Sequence, residues 1–266
     1  VEHGAPTTID SVQFYDGLGR LIQSKSKSET PGQYIVSGQT EYDSRGLPDK
    51  KYLNRFTSND LDTMDAIDPA TPKTIIAYDA MGRVIRTTNP DGTFATAVYD
   101  DWTTATVDEN GHKQESDVDA YGRLIAKREY TGNSTSNYAV YATTRYEYDS
   151  EGNLTKVTDA HNNQTQITYD NLGRKKTMTD PDMGYWQYEY DLNGNLKYQI
   201  DAKGQRLDFD YDVLNRLKTK AFPATNNPSV DYTYDDPFVA YSQGRLTKAN
   251  YGTNQNTQFK YDQLGR

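Results

Sequence analysis

Tyr148-Asp149-Ser150-Glu151-Gly152-Asn153, Tyr169-Asp170-Asn171-Leu172-Gly173-Arg174, Tyr190-Asp191-Leu192-Asn193-Gly194-Asn195 and Tyr211-Asp212-Val213-Leu214-Asn215-Arg216 are four variations on one hexapeptide. Their aspartates stand at 149, 170, 191 and 212, each 21 residues after the last. A fixed period of that length marks a repeat architecture, in which one supersecondary unit is copied and stacked. Function is then expected in the surface the copies build together, not in a single pocket.

The hexapeptide reads as a reverse turn. An Asp carboxylate accepts backbone N–H bonds inside the turn, and Gly supplies the positive φ that closes it. A type I turn followed by a left-handed glycine makes a bulged hairpin. Asn215 replaces Gly in one copy, and Asn is the next most tolerant residue at positive φ. Eleven aspartates share the register: Asp16, Asp43, Asp79, Asp100, Asp119, Asp149, Asp170, Asp191, Asp212, Asp235 and Asp262. All but Asp119 follow a Tyr. A second turn signal falls between them, at Asp159–Asn163, Asp180–Gly184 and Asp201–Gly204, with relatives at Asn89–Gly92 and Asp108–Gly111. Turns about every 10 residues fit antiparallel strands of about 6 residues.

Alternation sets the faces. Tyr146/Tyr148, Ile167/Tyr169, Tyr188/Tyr190, Phe209/Tyr211, Tyr232/Tyr234 and Phe259/Tyr261 share one side, with polar Glu147, Thr168, Glu189, Asp210, Thr233 and Lys260 between them. Period two with one apolar face predicts a half-buried antiparallel sheet, its aromatics aligned in ladders across the copies. After the turn, Leu154, Leu196/Tyr198/Ile200 and Leu217 are expected to continue the apolar stripe. The fold class is therefore all-β: antiparallel hairpin repeats forming a curved or spiralling sheet. The alternative is a β-propeller, since two hairpins match the length of a blade. The polar side of each strand argues against it, because blades pack on both faces.

The chain reads as one array over 1–266, most regular from 146 to 222, with insertions near 50–75, 131–145 and 223–231 that are expected to project from one edge. Eleven hairpins give about 22 strands and, at ~4.8 Å apiece, a strip about 105 Å wide. Rolled into a ring, that strip is too narrow to enclose a folded cargo by itself.

Composition narrows the function. Only 34% of residues are hydrophobic, yet 23 are Tyr. Tyr buries a ring while keeping a hydroxyl at the wet end, which suits a thin structure. A net charge of −9 disfavours nucleic acid as a partner. No apolar stretch is long enough for a membrane span, so no membrane insertion is expected. Cysteine is absent, which removes disulfides and thiolate metal sites. The first residues, Val1 to Pro6, show no signal peptide, and the last six repeat the hexapeptide; a piece of a longer protein is expected.

No catalytic residue and no cofactor is expected. Neither a metalloprotease helix, a nucleophile elbow nor a P-loop occurs. His112 and His161 fall in or beside turns, and with His3 they form no pair at ligand spacing. Asp208, Asp210 and Asp212 alternate along one strand and are candidates for a hard cation such as Ca²⁺. Arg20, Arg83, Arg123, Arg174, Arg216 and Arg245 follow the turns and are expected to pair with nearby carboxylates. Exposed Tyr faces would also suit a glycan- or cell-surface-binding module, tested at Tyr188 and Tyr190.

These residues resemble the YD repeat of the Rhs family, Tyr-Asp-x-x-Gly-Arg-Leu followed by a second Asp-x-x-Gly turn. The motif residues are Tyr148, Asp149, Gly152, Tyr169, Asp170, Gly173, Tyr190, Asp191, Gly194, Tyr211, Asp212 and Asn215. The N-terminal half, with Val36-Ser37-Gly38 ahead of Tyr42-Asp43, is similar to Rhs and Tc-toxin B/C-type proteins. The resemblance implies a noncatalytic strip from a secreted or cell-surface hollow shell that encapsulates a toxin, as in the related teneurin shell. Its implied partners are flanking shell segments and a C-terminal toxin cargo. Asp68-Pro69, Asp180-Pro181 and Asp236-Pro237 lack the Gly of the family's self-cleaving core, so that region and the toxin are expected to be missing.

Overall fold

The computed structural model describes residues 11–223, 225, 227–252 and 255–266. His3 lies outside them. Among the described residues every regular element is a β-strand, and every pairing is antiparallel.

The chain divides into two compact units, 1–143 and 144–266. The first opens with a four-stranded sheet of Ser11–Tyr15, Leu21–Lys27, Tyr34–Ser37 and Arg55–Thr57. A ladder of eight strands follows, from Thr40–Tyr42 to Leu124–Thr131. The second unit begins within Ala139–Tyr148 and runs as a ladder of eleven strands to Gln255–Gln258, each paired with the next in sequence. Continuous ladders of this length are not propeller blades, and the hairpin-repeat expectation holds.

The turns form as their residues dictate. In the YD turns other than those at Asp100 and Asp235 the Gly or Asn N–H donates to the Asp carbonyl, at 2.9 Å for Gly173 and for Asn215. The Asp N–H then donates to the carbonyl four residues on, at 2.9 Å for both Asp170 and Asp212. Gly173 has φ 74° and Asn215 φ 60°, the left-handed geometry the sequence predicts.

Every YD turn adds one residue to its strand, and this corrects the expected stripe. Thr168 faces Thr177 but Tyr169 faces Lys175; Glu189 faces Tyr198 but Tyr190 faces Leu196. The bulge inverts the alternation, because one extra residue sends the following side chains to the other face. Leu196 therefore stays on the Tyr side, while Tyr198 and Ile200 lie with Glu189 and Gln187 on the opposite side.

Two other expectations change. Asp100 is not a turn lock: it pairs with Thr103 at the end of a tight hairpin, where Asp101 takes φ 46°. The insertion near 50–75 does not project. Arg55–Thr57 joins the opening sheet, and the segment after it folds back over that sheet. The insertion near 131–145 is a short loop, because Ala139–Tyr148 is strand; Asn137 Oδ1 closes it by accepting the N–H of Asn133 at 3.0 Å and of Ser134 at 2.9 Å. Asp235 keeps the register, but its turn opens into a longer loop that closes on Gly244 and Arg245.

Buried apolar residues are few: Val36, Tyr52, Met178, Val230 and Ala249 among the described residues. The interior is a thin seam rather than a core.

Candidate functional site

The same three side chains recur at successive turns and make the chain's dominant polar construction. In Asp170, Oδ1 accepts the N–H of Leu172 at 2.9 Å and of Arg174 at 3.0 Å, while Oδ2 accepts Arg174 Nε at 2.7 Å. Asp212 does the same with Leu214 and Arg216, at 2.9, 3.0 and 2.7 Å. Asp16, Asp79, Asp119 and Asp262 repeat the arrangement with Arg20, Arg83, Arg123 and Arg266. Where the sequence has Asn, its amide takes the guanidinium's place: Asn195 Nδ2 reaches Asp191 Oδ2 at 3.0 Å. His112 Nδ1 holds the equivalent position, 2.9 Å from Asp108 Oδ2. His161 donates only its backbone N–H to Asp159.

These bonds favour the ionised carboxylate. The backbone N–H and guanidinium of Arg174 hold Asp170 below its ordinary value, and those of Arg216 do so for Asp212. The Asn195 side-chain amide has the leading part for Asp191, and that of Asn153 for Asp149.

At several turns the Arg also reaches the next repeat. Arg174 lies over the ring of Tyr190 at 4.7 Å, Arg216 over Tyr234 at 4.4 Å, and Arg245 over Tyr261 at 5.3 Å. In the first unit Arg20 covers Tyr42 at 4.2 Å and Arg83 covers Tyr99 at 4.3 Å. A guanidinium over a ring face is attracted by the ring quadrupole. Arg216 additionally meets Asp235 at 2.7 Å, and Arg174 Nη1 donates to the Asp191 carbonyl at 3.4 Å.

The Tyr returns the contact from its hydroxyl. Tyr169 OH donates to the Leu154 carbonyl at 2.9 Å, Tyr211 OH to Leu196 at 3.1 Å, Tyr234 OH to Leu217 at 3.0 Å and Tyr261 OH to Leu246 at 2.6 Å. Three of these four acceptors lie fifteen residues before their Tyr; Leu217 lies seventeen before Tyr234. Burial pushes the Tyr169, Tyr211 and Tyr234 hydroxyls up, which keeps them protonated donors. The expected ring-on-ring ladders are thus largely replaced by Tyr–Arg stacking and hydroxyl–carbonyl bonds. Trp186 and Tyr188, 6.4 Å apart, are the one stacked ring pair among the described residues. The hydroxyl role was missed by sequence reading, although the fifteen-residue offset between Leu and Tyr was there to be seen.

The candidate calcium residues each have a cation of their own. Asp208 accepts Arg206 Nε at 2.7 Å, Asp210 lies 3.6 Å from Lys218 Nζ, and Asp212 belongs to its turn and Arg216. No group of three His, Cys, Asp or Glu placed to hold a metal ion occurs among the described residues. Tyr188 and Tyr190, the glycan candidates, are half-buried against Trp186 and Arg174.

The opening sheet holds a second polar construction that the sequence did not reveal. Lys25 is 0% exposed and Asp65 4% exposed. Lys25 Nζ lies 2.9 Å from Asp65 Oδ2 and donates to the carbonyls of Asn59, Asp60 and Thr63 at 3.1, 2.6 and 2.8 Å. Asp65 Oδ1 accepts Thr57 Oγ1 at 2.8 Å and Asn59 Nδ2 at 2.6 Å; Gln23 brackets its backbone. Burial pushes the Asp65 carboxyl up, but Lys25, Thr57 and Asn59 outweigh it and hold it below its ordinary value.

Comparison with known proteins fits this geometry. Residues 118–164 and 148–182 match the RHS Repeat family. Residues 118–182 carry RHS repeats. Residues 3–72, which span the opening sheet and its Lys25 hub, match a domain of unknown function, DUF6443. No similar sequence was found among curated proteins. Among solved structures, the crystal structures of TcdB2–TccC3 and of TcdB2–TccC3–Cdc42 each align with a TM-score of 0.78 at 20% identity. The Tc holotoxin pore of Photorhabdus luminescens aligns with a TM-score of 0.77 at 20% identity. Each alignment covers 96% of this chain but only 15% or 14% of the other. The chain therefore shares their fold and spans about one-seventh of their length.

Proposed function

We infer that this RHS-repeat chain is a wall segment: a noncatalytic module that forms part of a hollow shell enclosing a toxin or effector in a secreted or cell-surface protein. The observation that carries the reading is the relay itself. Arg174 and Arg216 cover the Tyr of the following repeat, and the hydroxyls of Tyr169 and Tyr211 cap a carbonyl of the preceding one. Such a sheet is held by neighbours rather than by a shared core, so it extends without a size limit. Its partners on this reading are the flanking shell segments and the enclosed cargo. Glycan recognition is not favoured, because the rings it needs are engaged within the sheet.

The test is electron microscopy of the full-length polypeptide that contains this chain, combined with limited proteolysis. The expected image is a hollow body with residues 144–266 in its wall and a downstream segment resistant to protease until the shell is opened. A solid particle, or a downstream segment cut as fast as the same segment expressed alone, would overturn the reading.

A further inference from the structure

The two rims of the second unit, where its hairpins turn, differ in chemistry. On the rim formed by the YD turns, the tips beyond the first carry apolar side chains pointing into water. Leu172 is 76% exposed, Leu214 66%, Phe238 95% and Leu264 74%, while Leu192 and Val213 are essentially fully exposed. The tips of the other rim carry His161, Asp182 and Lys203, with small apolar Ala160, Pro181 and Ala202 and the larger Met183 and Tyr185 exposed beside them. Nothing in the turn requires an apolar tip: the lock uses the Asp carboxylate, backbone N–H groups and the Arg or Asn that follows, and the first turn carries Ser150 and Glu151 instead. Isolated exposed leucines are ordinary, but a row at regular intervals marks a contact surface.

We propose that this rim is a docking edge for a second copy of itself. The interval selects the occupant. Successive YD tips are two strands apart, about 9.6 Å, so a matching row offset by one strand fits its knobs between them. A sheet rim of the same repeat has that interval built in, and a two-fold arrangement closes the contact as a dimer. The charge pattern permits it: the turn carboxylates beneath Leu172 and Leu214 are already paired with Arg174 and Arg216, and the one beneath Leu192 is hydrogen-bonded by Asn195. Burying about 100 Å² for each of six side chains offers roughly 600 Å² per partner, somewhat under the ~800 Å² of a standard stable interface. The contact is therefore weak between free copies. It becomes strong where two rims are tethered in one polypeptide, since the linkage raises their effective concentration. This inference rests on the rim's chemistry and stands apart from the wall reading.

Sedimentation velocity of the 266-residue chain over a rising concentration series tests it. The expected result is reversible dimerisation at tens of micromolar or above. Combining Leu172→Lys, Leu192→Lys and Leu214→Lys should abolish it with the circular-dichroism melt unchanged. His161→Lys with Asp182→Lys on the other rim should leave it intact. If the triple variant fails to fold, Leu192→Lys alone, at a fully exposed position, is expected to weaken the dimer at least tenfold. A wild-type chain that stays monomeric throughout, or a dimer that survives the lysines, would overturn the proposal.

Discussion

The opening sheet and the regular stretch from 146 to 222 are both antiparallel, yet they are held together by opposite means. The opening sheet concentrates its polar contacts in one place: a single buried ammonium binds a carboxylate and three carbonyls of a segment more than thirty residues away. The regular stretch distributes them, with one half-exposed Asp–Arg or Asp–Asn pair per turn and one Tyr hydroxyl bond between repeats. A hub fails all at once when one member is removed, because the remaining charge is left buried. A distributed relay loses one small increment at a time. The difference shows how one strand geometry can serve both a cap that must be unique and an array that must be extendable.

Substitution at the hub should produce the largest effect. Lys25→Met leaves buried Asp65 with the more distant Arg55 guanidinium, 3.9 Å away, in place of its close cation and is expected to cost about 3 kcal/mol in urea unfolding. Adding Asp65→Leu should restore much of that loss, since it removes the stranded charge. A small cost for the single variant would erase the contrast between the two regions.

Acid acts next, on every turn together. Asp170, Asp191 and Asp212 have folded-state values below the ordinary 3.8. Their contribution is complete above 3.8 and disappears as the pH falls through the lower folded values. Amide protection factors across 146–222, with the intrinsic pH dependence of exchange divided out, should therefore fall below about pH 4. Protection that is lost only above neutrality would show that the sign is wrong.

Single turns come after that. Gly173→Ala places a Cβ on a residue at φ 74° and should cost about 1–2 kcal/mol. Asn215→Gly, at φ 60°, should be close to neutral. Tyr169→Phe removes the bond to the Leu154 carbonyl, for a loss of about 1 kcal/mol. Faster exchange confined to the strands Leu154–Thr158 and Gln164–Tyr169 is the local signature expected of it. A small loss is assigned to Arg174→Lys, which keeps the charge but not the planar stack on Tyr190; under ~1 kcal/mol is expected. A loss as large as that at Lys25 would mean the relay is a hub after all.

The legible parts of the sequence are those whose physics is local. Asp170, Gly173 and Arg174 sit within five residues, so the turn and its positive φ follow from residue type alone. Asn215 follows for the same reason. Asp100 misled because Tyr-Asp also occurs where no Gly closes the turn, and a two-residue hairpin formed instead. The face of Tyr198 was misread because alternation takes no account of a bulge. The Lys25–Asp65 pair was out of reach: an acidic run from Asp60 to Asp68 looks like solvent-facing loop, and only the folded sheet brings a lysine beneath it. The fold was written in repeated short signals, while the hub occurs once and spans forty residues.

The scarcity of dry interior noted above carries a thermal consequence. Heat-capacity change on unfolding scales with newly wetted hydrocarbon, and only five apolar residues are buried among those described. The increment per residue should fall below the usual ~12–15 cal/mol/K, which flattens the dependence of folding free energy on temperature. A lamina of this kind keeps its form across a broad thermal interval, cold included, at a modest maximum.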